Sequence, residues 1–203
     1  MARFFGKLPT NAQGVTAVEL KPVYWDFGKP NAADPDGIYS AAEAAVTKVE
    51  LDATNYASTF DGKMDVPRQV SVIATTGTNG GIEKDDTVTV YGTNIADEPI
   101  SEVFTFTAAL ATALVSAQAF KTVTGAVIGE SAAGVKFDIG WTDVLGLPFK
   151  LAATEKMALE YGAGVLKTTA GTFTVDASVL GKNTYDPNTT LNGSTAVQLI
   201  LFL

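Results

Sequence analysis

Cysteine and histidine are both missing from this chain of 203 residues. A nucleophile–imidazole triad, a thiolate nucleophile, a histidine-held zinc and a disulfide framework all need side chains that are not there. Carboxylate, hydroxyl and lysine chemistry remain. Basic side chains are also scarce: 14 lysines and arginines stand against 22 acidic residues, a formal charge of −8, and they form no cluster. Phosphate backbones repel such a chain, so nucleic acid is not an expected partner. No apolar run reaches the roughly 18 residues of a membrane-spanning helix, and no membrane partner is expected either. The start, Met1-Ala-Arg-Phe-Phe-Gly-Lys-Leu-Pro9, lacks an apolar h-region. It is read as part of a protein made and kept in a cytosol rather than as a secretory leader.

What is present favours a packed core over disorder, because 46% of the residues are hydrophobic and 18% charged. The first 40 residues carry Pro9, Pro22, Pro30 and Pro35, with Phe4, Phe5, Tyr24, Trp25 and Phe27 between the breaks. Proline interrupts regular structure while the aromatics want burial. An extended arm across another surface satisfies both demands, and so does a strand or loop wrapped on the chain's own domain. Asp34-Pro-Asp-Gly37 reads as a turn and Ser40 to Val46 as a short helical turn. Lys48 to Leu51 looks extended.

Beyond Pro67 the pattern is β. Val70 and Val72 alternate with Gln69 and Ser71, and Val88 and Val90 with Thr87, Thr89 and Tyr91. Period two marks strands with one face buried. Thr78-Asn-Gly-Gly81 supplies a turn between them. Ile100 to Phe106 and Phe120 to Ile128 read as strands, with Ala108 to Ala119 a loop or short helix. Val135, Phe137, Ile139 and Trp141 fall at strict two-residue spacing, the clearest half-buried strand. Leu151 to Tyr161 fits a bulged strand or a short helix, Thr172 to Asp176 a strand, and Gly181 to Gly193 a long turn-forming loop. Thr195 to Leu203 is apolar on both faces, so it is expected at the centre of a sheet or under a partner. The expected fold is therefore all-β, mainly an antiparallel sandwich or barrel, with an extended N-terminal arm and at most short helices. Residues 1–45 are assigned to the arm and helical turn and 46–203 to a β-rich domain, with a division into two subdomains near 148 left open.

Motifs for chemistry fail one by one. Gly129-Glu-Ser-Ala-Ala-Gly134 has Ala133 where a nucleophile elbow needs glycine, and it has no histidine to serve it. Neither Thr78 to Gly81 nor Gly181-Lys-Asn183 completes a phosphate-binding loop. Asp34 with Asp36, and Asp85 with Asp86, offer clustered carboxylates without the spacing of a calcium loop, and turn aspartates explain them. No cofactor, metal or catalytic residue is expected. Asn188-Thr-Thr190 and Asn192-Gly-Ser194 match the glycosylation acceptor pattern at a frequency that chance explains in such a loop.

Val66-Pro-Arg-Gln-Val-Ser-Val72, Asp86 to Asn94, Ile100 to Phe104 and Phe120 to Thr124 together resemble a β-rich family from the structural-gene regions of tailed bacteriophages. Asn31 to Gly37, Leu145-Gly-Leu-Pro148, Thr184 to Pro187 and Leu191 to Gly193 extend the resemblance over most of the chain, while Tyr91-Gly-Thr-Asn94 departs from the family's commoner Thr-Gly-Thr-Asp. The resemblance implies a non-enzymatic virion protein on the capsid surface, a decoration or cement protein made in the host cytoplasm. Its implied partners are the major capsid protein and copies of itself, with a homo-oligomer, favourably a trimer, at a symmetry axis. Contact residues are expected in the arm, at Phe4, Phe5, Tyr24, Trp25 and Phe27, and in the last strand, at Leu199, Leu201 and Leu203. Alternatives are a tail, connector or fibre-base component, a carbohydrate-binding adhesion module presenting Trp141 or Tyr185, and a carboxylate-based hydrolase.

Overall fold

A computed structural model describes residues 21–43, 49–52, 62–75, 86–106, 113–129, 135–152 and 158–202. The chain is built of antiparallel strands in two sheets packed as a sandwich. The strands, in chain order, are β1 (Pro22–Gly28), β2 (Asp34–Glu43), β3 (Val49–Asp52), β4 (Lys63–Thr75), β5 (Thr87–Thr93), β6 (Pro99–Thr105) and β7 (Leu114–Ile128). They continue with β8 (Lys136–Gly146), β9 (Ala158–Gly162), β10 (Val165–Leu166), β11 (Thr172–Thr174), β12 (Thr184–Asp186) and β13 (Val197–Phe202). One 3₁₀ turn, η1 (Leu180–Lys182), precedes β12.

The larger sheet runs β11-β12-β8-β4-β7-β5-β6, with β2 added to β8 and β3 to β7. Its long central strands follow the alternation in the sequence. Val70, Val72, Val88, Val90, Val135, Phe137 and Ile139 are all buried in one cluster with Phe104, Phe106, Phe120 and Ile128, and Trp141 packs half-buried at its margin. Asn94 closes the β5–β6 hairpin: its Oδ1 accepts the Ala96 and Glu98 N–H groups at 2.9 and 3.1 Å, while Asp97 takes φ +63°. A side chain that supplies the turn's acceptor lets a non-glycine residue adopt that strained backbone.

The smaller sheet runs β1-β13-β9-β10. Phe27, Val197, Leu199 and Leu201 from it meet Leu145, Leu147, Leu151, Tyr185 and Leu191 in a second cluster. The second cluster draws on both sheets, since Leu145 of β8 and Tyr185 of β12 pack with Val197, Leu199 and Leu201 of β13. Residues 22–43 are likewise integral to the sheets, β1 pairing with β13 and β2 with β8.

Several local expectations are corrected. Asp34 to Gly37 and Ser40 to Glu43 belong to β2, an irregular strand with two register shifts against β8. Alanine and serine tolerate either conformation, and here the open edge of β8 decides. Gly140 makes that approach possible, because a Cβ there would fall 1.9 Å from the Asp34 carbonyl oxygen. Leu114 to Ala119 extends β7 rather than forming a helix, and Thr184 to Asp186 interrupts the long C-terminal loop as a strand between β11 and β8. The segment after Leu151 ends in strand β9. The Thr78 to Gly81 turn and residues 130–134 lie outside the described residues. β13 is central in its sheet, as its apolar character on both faces required.

Candidate interaction surface

Strand register sorts the smaller sheet into two faces. Facing the larger sheet are Val23, Trp25 and Phe27 of β1, Val197, Leu199 and Leu201 of β13, and Ala158 and Glu160 of β9. Facing away are rows set by direct opposition: Pro22 against Phe202, Tyr24 against Ile200 and then Leu159, and Asp26 against Gln198, Tyr161 and then Leu166. This outer face is apolar and aromatic although it is not packed into the core. Tyr24 is 57% exposed and Leu166 50%, with Leu159, Tyr161, Ile200 and Phe202 half-buried. Asp26 alone is charged among the described residues of these rows. Its carboxylate accepts the Gly28 N–H at 2.8 Å, the Gln198 amide at 3.1 Å and the Tyr24 hydroxyl at 3.3 Å. The Gly28 bond leads in holding its pKa below the ordinary aspartate range. The exposed face of the larger sheet is more mixed: Thr87 opposes Thr105, Thr89 opposes the exposed Val103, and the exposed Tyr91 opposes Ser101.

Two buried ionic centres link segments of the two sheets. Glu160 points inward from β9, where its Oε2 accepts the Tyr185 hydroxyl at 2.5 Å and the Gly171 and Asn188 N–H groups at 2.9 Å each. Its Oε1 accepts the Thr189 N–H at 2.6 Å. Burial pushes this carboxyl up, but hydrogen bonds from Thr189, Tyr185, Asn188 and Gly171 outweigh it and hold the pKa below the ordinary glutamate value. Burial first, and the neighbouring carboxylate second, push the Tyr185 hydroxyl far above the usual tyrosine range, so it stays a donor. A carboxylate so saturated with donors is a staple between β9, β12 and the 187–189 loop, not a free acid or base.

The second centre is Arg68 of β4, fully buried. Its Nη1 donates to the carbonyls of Asn31 and Thr142 at 3.2 and 3.3 Å, and its Nη2 reaches both carboxylate oxygens of Asp65 at 3.0 and 2.9 Å. The guanidinium lies 5.9 Å from the Trp141 ring centre. Asp65 also accepts the Asn31 N–H at 2.6 Å, Asp143 accepts the Ala33 N–H at 2.7 Å, and Trp141 Nε1 donates to the Ala32 carbonyl at 3.1 Å. This network clamps the crossing from β1 in one sheet to β2 in the other.

The expected contact residues separate accordingly. Tyr24 stands on the outer face. Phe27, Leu199 and Leu201 are corrected: they are 5%, 0% and 1% exposed, and they fill the chain's own core instead of a partner's surface. Trp25 is half-buried against the same core, stacked edge-on with Phe27. Phe4, Phe5 and Leu203 lie outside the described residues. Leu159, Tyr161, Leu166, Ile200 and Phe202, which share the outer face, were not among the expected residues; the apolar character of both faces of the last strand was the signal that could have found Ile200 and Phe202. The two aromatics named for a sugar platform, Tyr185 and Trp141, are both drawn into packing, Tyr185 fully and Trp141 in part. Tyr185 is fully buried against Phe27 and Phe173, and the Trp141 ring is pressed by Gly37, where an added Cβ would fall 2.5 Å from it.

Among the described residues no group of three or more acidic side chains is placed to hold a metal ion, and no helix is long and apolar enough to cross a membrane. Comparison with protein-family models, with curated proteins and with solved structures found no match, so the site rests on its geometry.

Proposed function

We propose that this chain is a non-enzymatic structural protein of a tailed-phage particle, of the capsid decoration kind, held in its assembly by the outer face of the four-stranded sheet. The observation that carries the assembly role is the row structure of that face: Tyr24, Ile200 and Leu159 beside Pro22 and Phe202, aromatic, half-exposed and nearly free of charge in a chain of net charge −8. Depletion of charge with enrichment of aromatics is the signature of the desolvated centre of a protein interface. The virion setting is supported by the resemblance of the Val66 to Val72, Asp86 to Asn94 and Phe120 to Thr124 segments to phage structural proteins.

The test is the protein composition of purified particles of the phage that encodes the chain, before and after gentle capsid stripping. The proposal expects the chain in intact virions, in numbers scaling with the major capsid protein. Its absence from washed particles overturns the reading, and enrichment with isolated tails moves it to a tail or connector component.

A further inference from the structure

We infer that the outer face of the four-stranded sheet is occupied by residues 1–20 of a neighbouring copy, so that copies are joined by exchanged N-terminal arms. The inference rests on the proposed assembly role and names the partner of that face. Three observations carry it.

The first is where the segment joins the fold. Pro22, the first residue of β1, lies directly opposite Phe202 at the rim of the outer face. The second is its chemistry. Residues 1–20 contain Phe4, Phe5, Leu8, Val15, Val18 and Leu20, which suit an apolar face. They also carry two cations, Arg3 and Lys7, against the single carboxylate Glu19, a net charge of +1 in a chain of net −8. Two acidic bodies repel each other, and a cationic aromatic segment is the part of this chain best able to bridge them.

The third observation concerns direction. Between Val15 and Lys21 the sequence Val-Thr-Ala-Val-Glu-Leu-Lys has no Gly, Pro, Asn or Asp to reverse it. Seven residues of extended chain would span about 23 Å, and the sequence offers its first turn residue only at Gly14. Laying residues 15–20 on their own outer face would need a reversal inside a stretch without turn residues. A neighbour's face needs none.

A complementation experiment tests this by sedimentation analysis of full-length chains and two variants. One begins at Lys21 and keeps an intact face. The other is the full chain with Tyr24→Lys and Leu166→Lys, the two exposed large hydrophobic side chains of the face, chosen to remove apolar surface and repel Arg3 and Lys7. Circular dichroism melts establish that both are folded. The wild-type chain should self-associate at micromolar concentration, and each variant alone should do so at least about tenfold more weakly, the cost of losing a buried aromatic contact. Mixed one to one, the variants should form a heterodimer, because one supplies the arm and the other the face.

A chain beginning at Lys21 that associates like wild type would overturn the inference in favour of face-to-face packing. A monomeric wild type whose truncation creates self-association would overturn it in favour of an arm folded on its own sheet. Failure to form the heterodimer sinks it too. In each case the chain's presence in virions still decides the assembly role separately.

Discussion

Replacing Glu160 by glutamine keeps the shape of the side chain and removes one acceptor from a carboxylate to which four groups donate. The carboxylate receives four hydrogen bonds, three at Oε2 and one at Oε1, at 2.5 to 2.9 Å. If the amide oxygen takes the Oε2 position, the NH₂ faces the Thr189 N–H, leaving two donors opposed in a buried site. Flipping the amide is worse, since three donors then face it. A charge-assisted bond is worth about 1.5 to 3 kcal/mol, and the surviving bonds weaken once the acceptor is neutral, so we expect a loss of about 3 to 4 kcal/mol. In a chain of this length that lowers the melting midpoint by about 10 °C. Urea unfolding at pH 7 followed by circular dichroism should show a lower midpoint with an unchanged slope. The sign of the pH dependence follows from the lowered pKa of Glu160 in the folded protein. Its stabilisation is complete above the ordinary glutamate value and is lost as the pH falls through the lower, folded value. The gap between wild type and Glu160→Gln should therefore be widest at neutral pH and close on acidification below about pH 4.5. A variant within about 0.5 kcal/mol of wild type at pH 7, or a gap that stays constant to pH 3, would refute the staple.

Other perturbations address the clamp and the strand crossing. Arg68→Met removes four hydrogen bonds or ion-pair contacts and strands the partly exposed Asp65, so a loss of about 2 to 4 kcal/mol is expected in the same unfolding assay; a neutral result would mean the buried guanidinium adds no net stability. Gly140→Ala sets a Cβ against the Asp34 and Pro35 backbone at 1.9 to 2.6 Å, which has no side chain to move aside. It should cost about 3 kcal/mol or more. Gly181→Ala meets only the Gln118 side chain, at 3.1 Å and beyond, and should fold normally; equal behaviour of the two glycine variants would contradict the close β2–β8 approach. Asn183→Ala removes an amide that accepts from the Leu151 and Asp176 N–H groups and donates to three carbonyls, and it should expose the 176–183 loop to proteolysis before global unfolding.

The all-β class was readable because alternation at Val70 and Val72, Val88 and Val90, and Val135 to Trp141 reflects burial on one side of a sheet, which is a local property. Pairing is not local, and the errors fall there. Asp34 to Glu43 looked like a turn and a helical turn because aspartate, proline and alanine have weak strand preference, yet the edge of β8, opened by Gly140, recruits them. The outer face proposed as an assembly surface was half readable. That the last strand is apolar on both sides could be seen from residues 195–203, but which side meets the core depends on β9 and β1 lying beside it. The residues chosen as contacts, Leu199 and Leu201, have the buried parity, and Ile200 and Phe202 the outward one. In β1 the aromatics Tyr24, Trp25 and Phe27 form one cluster in sequence, yet adjacent residues of a strand face opposite ways. Glu160 gave a faint signal, a lone carboxylate at inward parity in Ala158–Gly162. Its donors come from residues 171 to 189, which no local pattern connects to it.

The claim that most needs testing is that the outer face of the four-stranded sheet is an assembly surface. Image reconstruction of the particle at side-chain resolution addresses it directly. The account predicts that Tyr24, Leu159, Tyr161, Ile200 and Phe202 lie buried under density from a neighbouring chain, with the Thr87 to Thr105 face left to solvent. A particle in which those five side chains face water while another surface makes the contacts would contradict it.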